Sequence, residues 1–276
     1  MSSILVFGAS GAIGRFLLRR LTPLYTVYPV SRQPHGDNWI VGDLNDVDFR
    51  WPDADTVISL GPLDAFAASF ERVRPAGLRR ALALSSMSAE SKAKSPDPAE
   101  RELAARLVEA EQRLFRAGAT AGVAVTVFRP TLIYGAGTDA SLAPLARFAA
   151  RWHALPIPVG ASGLRQPVHA DDLAAACAAA LDVSATHGRV YPLGGGERLS
   201  AQRMFRRVAA AVPAFVLPVP IPVALLKRIS GAAQRAAVLR LRQDLVADNA
   251  PAAADFGYAP RGFDARDVLP APAKSI

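Results

Sequence analysis

Gly8, Gly11 and Gly14 recur at three-residue spacing directly after an unbroken apolar run, Ile4-Leu5-Val6-Phe7. Glycines so placed remove side chains from a turn, so that backbone N–H groups can close on an anion. Gly8 permits the tight turn, and Gly11 admits a pyrophosphate to the backbone of Ser10, Ala12 and Ile13. Gly14 lets the following helix pack on the strand. The positive end of that helix favours the same negative charge. At the end of the next apolar run stands Ser31-Arg32. An acidic side chain there would bond the ribose 2′-hydroxyl of NAD, whereas an arginine suits the 2′-phosphate of NADP. Arg32 therefore predicts NADP(H) over NAD(H); the bland alternative is a solvated arginine at a strand end.

Elements must hold these residues in place. Ile4 to Phe7 is short enough for a strand buried on both faces, and Ile13, Phe16, Leu17, Leu18 and Leu21 continue at helical spacing. Further strands are predicted at Tyr25–Val30, Trp39–Val41, Thr56–Leu60, Leu78–Leu84, Val123–Phe128 and Val190–Leu193. Helices are predicted over Asp64–Arg74, over Pro98–Arg116, and from an N-cap at Ser200 through Val212. Alternating strands and helices predict a doubly wound α/β fold with a mostly parallel sheet and its ligand at the carboxyl ends of the strands. The expected division is a dinucleotide-binding core over 1–135, completed by parts of 160–195, and a smaller substrate lobe over 136–276. No internal repeat or long linker interrupts it, and the last six residues are expected to fray.

A chain of 276 residues, 51% of them apolar, can bury a full core. Its formal charge of +8 raises nucleic acid as a partner, but the Lys and Arg residues are scattered and aromatics make up only 7%, which argues against it. Cys177 is the single cysteine, which excludes an internal disulfide and a cysteine zinc cluster; in its apolar run it reads as a small core residue. No metal site is expected. The N-terminus lacks a charged leader, which predicts a cytoplasmic protein. Val208 to Leu226 is nearly all apolar between Arg206-Arg207 and Lys227-Arg228. Pro213, Pro218, Pro220 and Pro222 rule out a spanning helix there. An extended segment lining the substrate lobe is predicted, with a peripheral membrane contact as the alternative.

The G-x-x-G-x-x-G spacing resembles the short-chain dehydrogenase/reductase superfamily, in the extended or atypical branch related to NAD-dependent epimerase/dehydratases of nucleotide sugars. Other blocks extend the resemblance along nearly the whole chain: Gly42-Asp43-Leu44, Ser85-Ser86, Arg129 to Gly135, Arg165 to Ala174, and a closing Phe256-Gly257-Tyr258 to Phe263. The resemblance implies that Asp43 and Leu44 cap the adenine and that Leu60, Gly61 and Pro62 lie beside the ribose and pyrophosphate. It implies Ser85 at the cofactor and Ser86 on the substrate or its reacting carbonyl. The backbone of Pro130, Thr131 and Leu132 would lie along the nicotinamide, Arg165 would grip a diphosphate, and Tyr134 would be a structural aromatic or, as the alternative, face the site. His169 and Asp172 match structural positions, and Glu111 matches a glutamate of the family's helix.

The chain also departs from that pattern. The family's proton relay is a Tyr with a Lys four residues on, and these positions fall at Leu103 and Leu107; no tyrosine lies between Tyr28 and Tyr134. The helical insertion after the fourth strand is missing. Leu132 stands where sugar-nucleotide enzymes carry Asn, which points away from a nucleotide sugar, and the apolar, proline-rich composition of the lobe suits a hydrophobic carbonyl or lipid-like ligand better. Two functions therefore stand side by side. One is an NADP-dependent oxidoreductase or epimerase-like enzyme taking its proton from Ser86, Tyr134 or water. The other is a protein that holds NADP(H) without turnover, as a redox sensor or structural member. A monomer or a homodimer through the helix of Leu103 and Leu107 is expected.

Overall fold

The structure is a computed structural model that describes residues 2–269, apart from 37, 74–76, 136, 138, 140, 230 and 232–237. The expected fraying of the last six residues and the predicted helix end at Arg74 lie outside the described residues. The strands are β1 (Ser3–Phe7), β2 (Thr26–Ser31), β3 (Ile40–Val41), β4 (Thr56–Ser59), β5 (Arg80–Leu84), β6 (Ala124–Pro130), β7 (Ile133–Tyr134), β8 (Ala154–Val159), β9 (Leu164–Arg165), β10 (Val168–His169), β11 (Arg189–Leu193), β12 (Leu199–Ser200) and β13 (Leu217–Pro222). The helices are α1 (Ala12–Leu21), α2 (Leu63–Arg72), α3 (Ser88–Ser91), α4 (Pro98–Ala121), α5 (Leu142–Trp152), α6 (Ala170–Ala179), α7 (Ala201–Ala211), α8 (Val223–Ile229) and α9 (Ala250–Phe256). The chain forms two compact units, Met1–Pro130 with Asp171–Leu193 and Asp248–Ala259, and Thr131–Ala170 with Gly194–Ala247 and Pro260–Ile276.

The first unit holds one seven-stranded sheet in the order β3-β2-β1-β4-β5-β6-β11, every pair parallel. The order reverses between β1 and β4, which is the switch point of a doubly wound sheet, where the crevice at the strand ends opens. Ile4, Leu5, Val6 and Phe7 are all buried, as a strand covered on both faces requires. Ile13, Gly14, Leu17 and Leu21 are the buried face of α1, at the spacing of one helical stripe. One side of the core is aromatic: Phe7, Trp51, Phe66 and Phe70 touch one another, with Trp51 stacked on Phe66 at 5.7 Å.

Two boundaries differ from the sequence reading. Helix α4 starts at its predicted Pro98, with the Asp97 carboxylate accepting from the Ala99 N–H, but runs to Ala121 and not Arg116. Gly118 sits inside the helix, where a Cβ would overlap the Val125 side chain. The left-handed Gly122 ends it. The division of the chain differs too. The sheet unit ends at Pro130, and it regains 248–259, which the sequence assigned to the lobe. The reason is packing: Phe256 of α9 lies against Phe128 of β6 and Tyr191 of β11.

The second unit is built on the parallel pair β8–β13 with α5 and α7, and on the short pairs β7–β10 and β9–β12. Its core includes Tyr134, Leu142, Leu155, Ile157, Met204 and Phe263. The Ser200 hydroxyl accepts from the Arg203 N–H and caps α7, at the predicted residue. The apolar run 208–226 is not one extended segment: it is divided among the end of α7, strand β13 and α8. Among the described residues, no helix is long and apolar enough to cross a membrane.

Candidate dinucleotide-binding site

The sheet unit carries a cavity of about 730 Å³ at the ends of β1, β2 and β4. Its floor is the glycine turn. Gly8 sits at φ +73°, a left-handed conformation that side chains resist, and its N–H-rich turn closes with the Gly11 N–H on the Gly8 carbonyl at 2.9 Å. Helix α1 begins at Gly11 with no side-chain cap and no acid in its first turn. By contrast, α4 and α7 are capped by Asp97 and Ser200. An uncapped helix start facing a cavity is an anion cradle, so the residues present fit a dinucleotide pyrophosphate.

The predicted residues divide into those that line this cavity and those that do not. Gly8, Ser10 and Gly11 line it from the turn, Arg32, Asp43 and Leu44 from the β2 and β3 side, and Leu60, Gly61 and Pro62 from the end of β4. Gln33, His35 and Asn45 also line it and were not foreseen. Their only signal was nearness to Arg32 and Asp43. Asn45 is tied to Asp43 Oδ1 through both its backbone and its side-chain amide, which shapes the turn under Leu44. Arg32 is exposed at the rim, and among the described residues Asp43 is the acidic side chain in the lining. Ala12 is the half-buried start of α1, and Ile13 and Gly14 face inward; a Cβ on Gly14 would overlap the Ala9 backbone.

At the end of β5 the serines separate. Ser85 donates to Glu111 Oε1 at 2.5 Å, so its hydroxyl is turned into a buried network. Arg129 grips both oxygens of Glu111 and reaches Glu90 Oε1 at 2.6 Å. The bond to Glu111 holds the Arg129 guanidinium above its ordinary pKa, against the opposing effect of burial. Both members of the pair were visible in the sequence, but not their contact. Ser86 is half-exposed, and its oxygen accepts the Ser88 N–H at 3.1 Å. Leu103 and Leu107 are half-buried on α4.

Geometry corrects two of the candidate site residues, Tyr134 and Arg165. Tyr134 is 1% exposed, lies edge-on to His169 and Phe263, donates to the Gly262 carbonyl and accepts the Asp264 N–H at 3.1 Å. Its hydroxyl joins segments of the second unit and faces no site. Arg165 is buried, with its fork on the carbonyls of Leu164, Gln243 and Arg240, so it clamps 240–243 onto β9 in place of gripping a diphosphate. Burial lowers its pKa. In the run predicted to lie along the nicotinamide, the Pro130 carbonyl accepts Met87 N–H, the Leu132 carbonyl accepts Val168 N–H, and the Thr131 hydroxyl donates to the Gln166 carbonyl.

Sequence reasoning missed Arg80. It is buried at the opposite, amino end of β5 and donates to the carbonyls of Ala124, Ala180 and Leu181 and the hydroxyls of Thr126 and Thr186. Burial pulls its pKa down to about 10.

Residues 69–194 match the NAD dependent epimerase/dehydratase family. It is 30% identical over 117 residues to UDP-glucose 4-epimerase of Vibrio cholerae, a stretch covering 41% of this chain and 35% of that protein. The chain thus spans about a third of the length of the curated relative it matches. Among solved structures it resembles MoeE5 in complex with UDP-glucuronic acid and NAD, at 22% identity and TM-score 0.73, over 97% of this chain and 96% of that one. It also resembles RMD from Pseudomonas aeruginosa complexed with NADPH, at 20% identity and TM-score 0.67, over 98% of each chain. At those identities the likeness establishes the fold alone, an α/β architecture with a seven-stranded parallel Rossmann-like sheet, over the whole chain. The family match starts inside α2, downstream of the glycine turn.

Proposed function

We propose that this chain binds NADP(H) at the glycine turn and acts as an oxidoreductase or epimerase-like enzyme with a non-standard proton donor. The observation that carries the cofactor reading is Arg32 at the rim of the cavity, directly after β2, where Ser31 and Gln33 flank it. A guanidinium there pairs with a 2′-phosphate and gives a 2′-hydroxyl no comparable partner. Leu44 and Pro62 supply apolar surface for the adenine, and the α1 N-terminus supplies the positive end for the pyrophosphate. The bound cofactor supplies hydride transfer to or from a substrate carbon. Ser86 holds its hydroxyl half-exposed at the end of β5, with its oxygen fixed by Ser88, and can donate a proton to a substrate oxygen.

A second reading rests on a specific observation. Tyr134 is locked in a core, and Leu103 and Leu107 cannot titrate, so these three positions supply neither the phenol nor the ammonium of the family's relay. General acid–base help contributes about two to four decades of rate. Under this reading the protein binds NADP(H) without turning it over, as a redox sensor or assembly member.

Fluorescence titration with NADPH and NADH tests the first step. Preference for NADPH that disappears in Arg32→Ala supports it; equal or no binding overturns it. Incubating the NADPH complex with a carbonyl panel, and the NADP complex with UDP-glucose and UDP-glucuronic acid, separates the two readings. Consumption of cofactor or isomerisation of sugar supports the enzyme, and tight binding with neither supports the sensor.

A further inference from the structure

The charge of this protein is not spread evenly. The second unit carries fifteen Lys and Arg against five Asp and Glu, a net +10, while the sheet unit carries seventeen against nineteen, a net −2; together these make up the chain's +8. The exposed aromatic side chains Phe148, Trp152 and Phe215 lie in the same basic unit, and they converge. Phe148 and Trp152 stand one turn apart on the outer face of α5, with ring centroids 6.4 Å apart. The next residue, His153, is bonded on both sides to the start of β13: its ring nitrogen to the Phe215 carbonyl at 3.2 Å and its carbonyl to the Leu217 N–H at 2.9 Å. Trp152, Phe215 and Leu217, respectively 62%, 80% and 53% exposed, therefore project from one end of the β8–β13 ribbon.

The rim of this patch is cationic. Arg151 lies over the Trp152 ring at 5.6 Å, while Arg147, a turn earlier on α5, donates to the Gly137 carbonyl. The acids of the unit are placed elsewhere. Asp139 accepts N–H groups at the far end of α5, Glu197 pairs with Arg207, Asp244 accepts the Leu164 N–H, Asp264 pairs with Arg266, and Asp267 faces His169.

The neighbouring edge is closed to strand addition. The Leu217 N–H points at β8, so the period of two turns the nitrogens of Pro218, Pro220 and Pro222 outward, where they have no hydrogen to donate. An exposed apolar, aromatic cluster with a basic rim and a blunted strand edge is poorly suited to an extended peptide. It matches the interface of an anionic bilayer, where tryptophan rings seat at the headgroup level and arginines meet lipid phosphates.

We infer that the second unit docks on an anionic lipid surface through Phe148, Trp152, Phe215 and Leu217, steered there by its net positive charge. The docking is peripheral and reversible, and it places the protein at a membrane face without spanning it.

The test is co-sedimentation of the full chain with vesicles of phosphatidylcholine alone and of phosphatidylcholine with about 30% phosphatidylglycerol. Partition onto the anionic vesicles at least about tenfold above the neutral ones, weakening with salt, is expected. The exposed triple variant Phe148→Ser, Trp152→Ser, Phe215→Ser should lose about tenfold or more of that partition while melting normally. Tryptophan emission should shift to the blue on vesicle addition, and Trp152→Phe, which preserves the fold, should abolish the shift. Failure to bind anionic vesicles overturns the inference. So does binding unaffected by the triple variant, which would make it charge attraction alone. Displacement from vesicles by a single-stranded oligonucleotide, or a dimer in light scattering that the triple variant dissociates, assigns the patch to another occupant and overturns it equally.

Discussion

Arg129 closes on Glu111 with two nitrogens, one on each carboxylate oxygen, and Glu111 is only 3% exposed. The pair ties β6 to α4, and the Ser85 hydroxyl of β5 joins it at 2.5 Å. Truncating one member of a buried ion pair strands the other charge. Glu111→Ala should therefore cost about 3–5 kcal/mol in urea denaturation. A loss below about 1 kcal/mol would show that Arg129 finds an equal partner in Glu90.

Gly14 leaves no room for a side chain against the Ala9 backbone. Gly14→Val must push α1 away from β1, at a cost of about 1–3 kcal/mol. The same displacement moves the α1 N-terminus, so nucleotide affinity should fall together with the melting temperature. A variant that melts lower but binds NADPH normally would separate the turn from the site.

Arg32 sits at the rim of the cavity with Gln33 and His35 after it. Arg32→Asp replaces a phosphate partner with a group that repels phosphate and accepts from a 2′-hydroxyl. NADPH affinity should drop by about ten- to a hundredfold while NADH affinity holds or rises, since a hydrogen bond to a charged group is worth about 1.5–3 kcal/mol. Parallel fluorescence titrations read both numbers.

Tyr134→Phe removes the hydroxyl between Gly262 and Asp264. Loss of about 1 kcal/mol of stability is expected. Any turnover found on the substrate panel should persist in Tyr134→Phe and fall at least about tenfold in Ser86→Ala. The reverse result would return Tyr134 to the chemistry.

Burial pushes the Cys177 thiol up to about 12 from 9.0. In native protein it should not react with maleimide at pH 8, and one thiol should appear on denaturation. Its folded pKa is the higher one, so its contribution to stability is complete below pH 9. That contribution falls away between pH 9 and about 12, as the unfolded chain ionises first. Rapid labelling of native protein at pH 8 would contradict the buried placement.

The sequence by itself determined the parallel sheet and the turn at its centre. Ile4 to Phe7, the three glycines and the stripe through Ile13, Leu17 and Leu21 are local signals that specify strand, turn and helix within about twenty residues. Arg32, Asp43, Leu60 and Pro62 were legible for the same reason, because each follows a strand whose end can be read. What lay beyond local reach was partnership. Arg165 carries the same fork whether it meets a diphosphate or the carbonyls of Gln243 and Arg240, and only the chain returning about 75 residues later decides. Tyr134 is a phenol until Phe263 and His169 enclose it. Nothing local in the sequence tells whether Phe148, Trp152 and Phe215 face in or out, because hydrophobicity has no direction. Their exposure, and the grouping of +10 against −2, exist only once 131–170, 194–247 and 260–276 have packed into one unit.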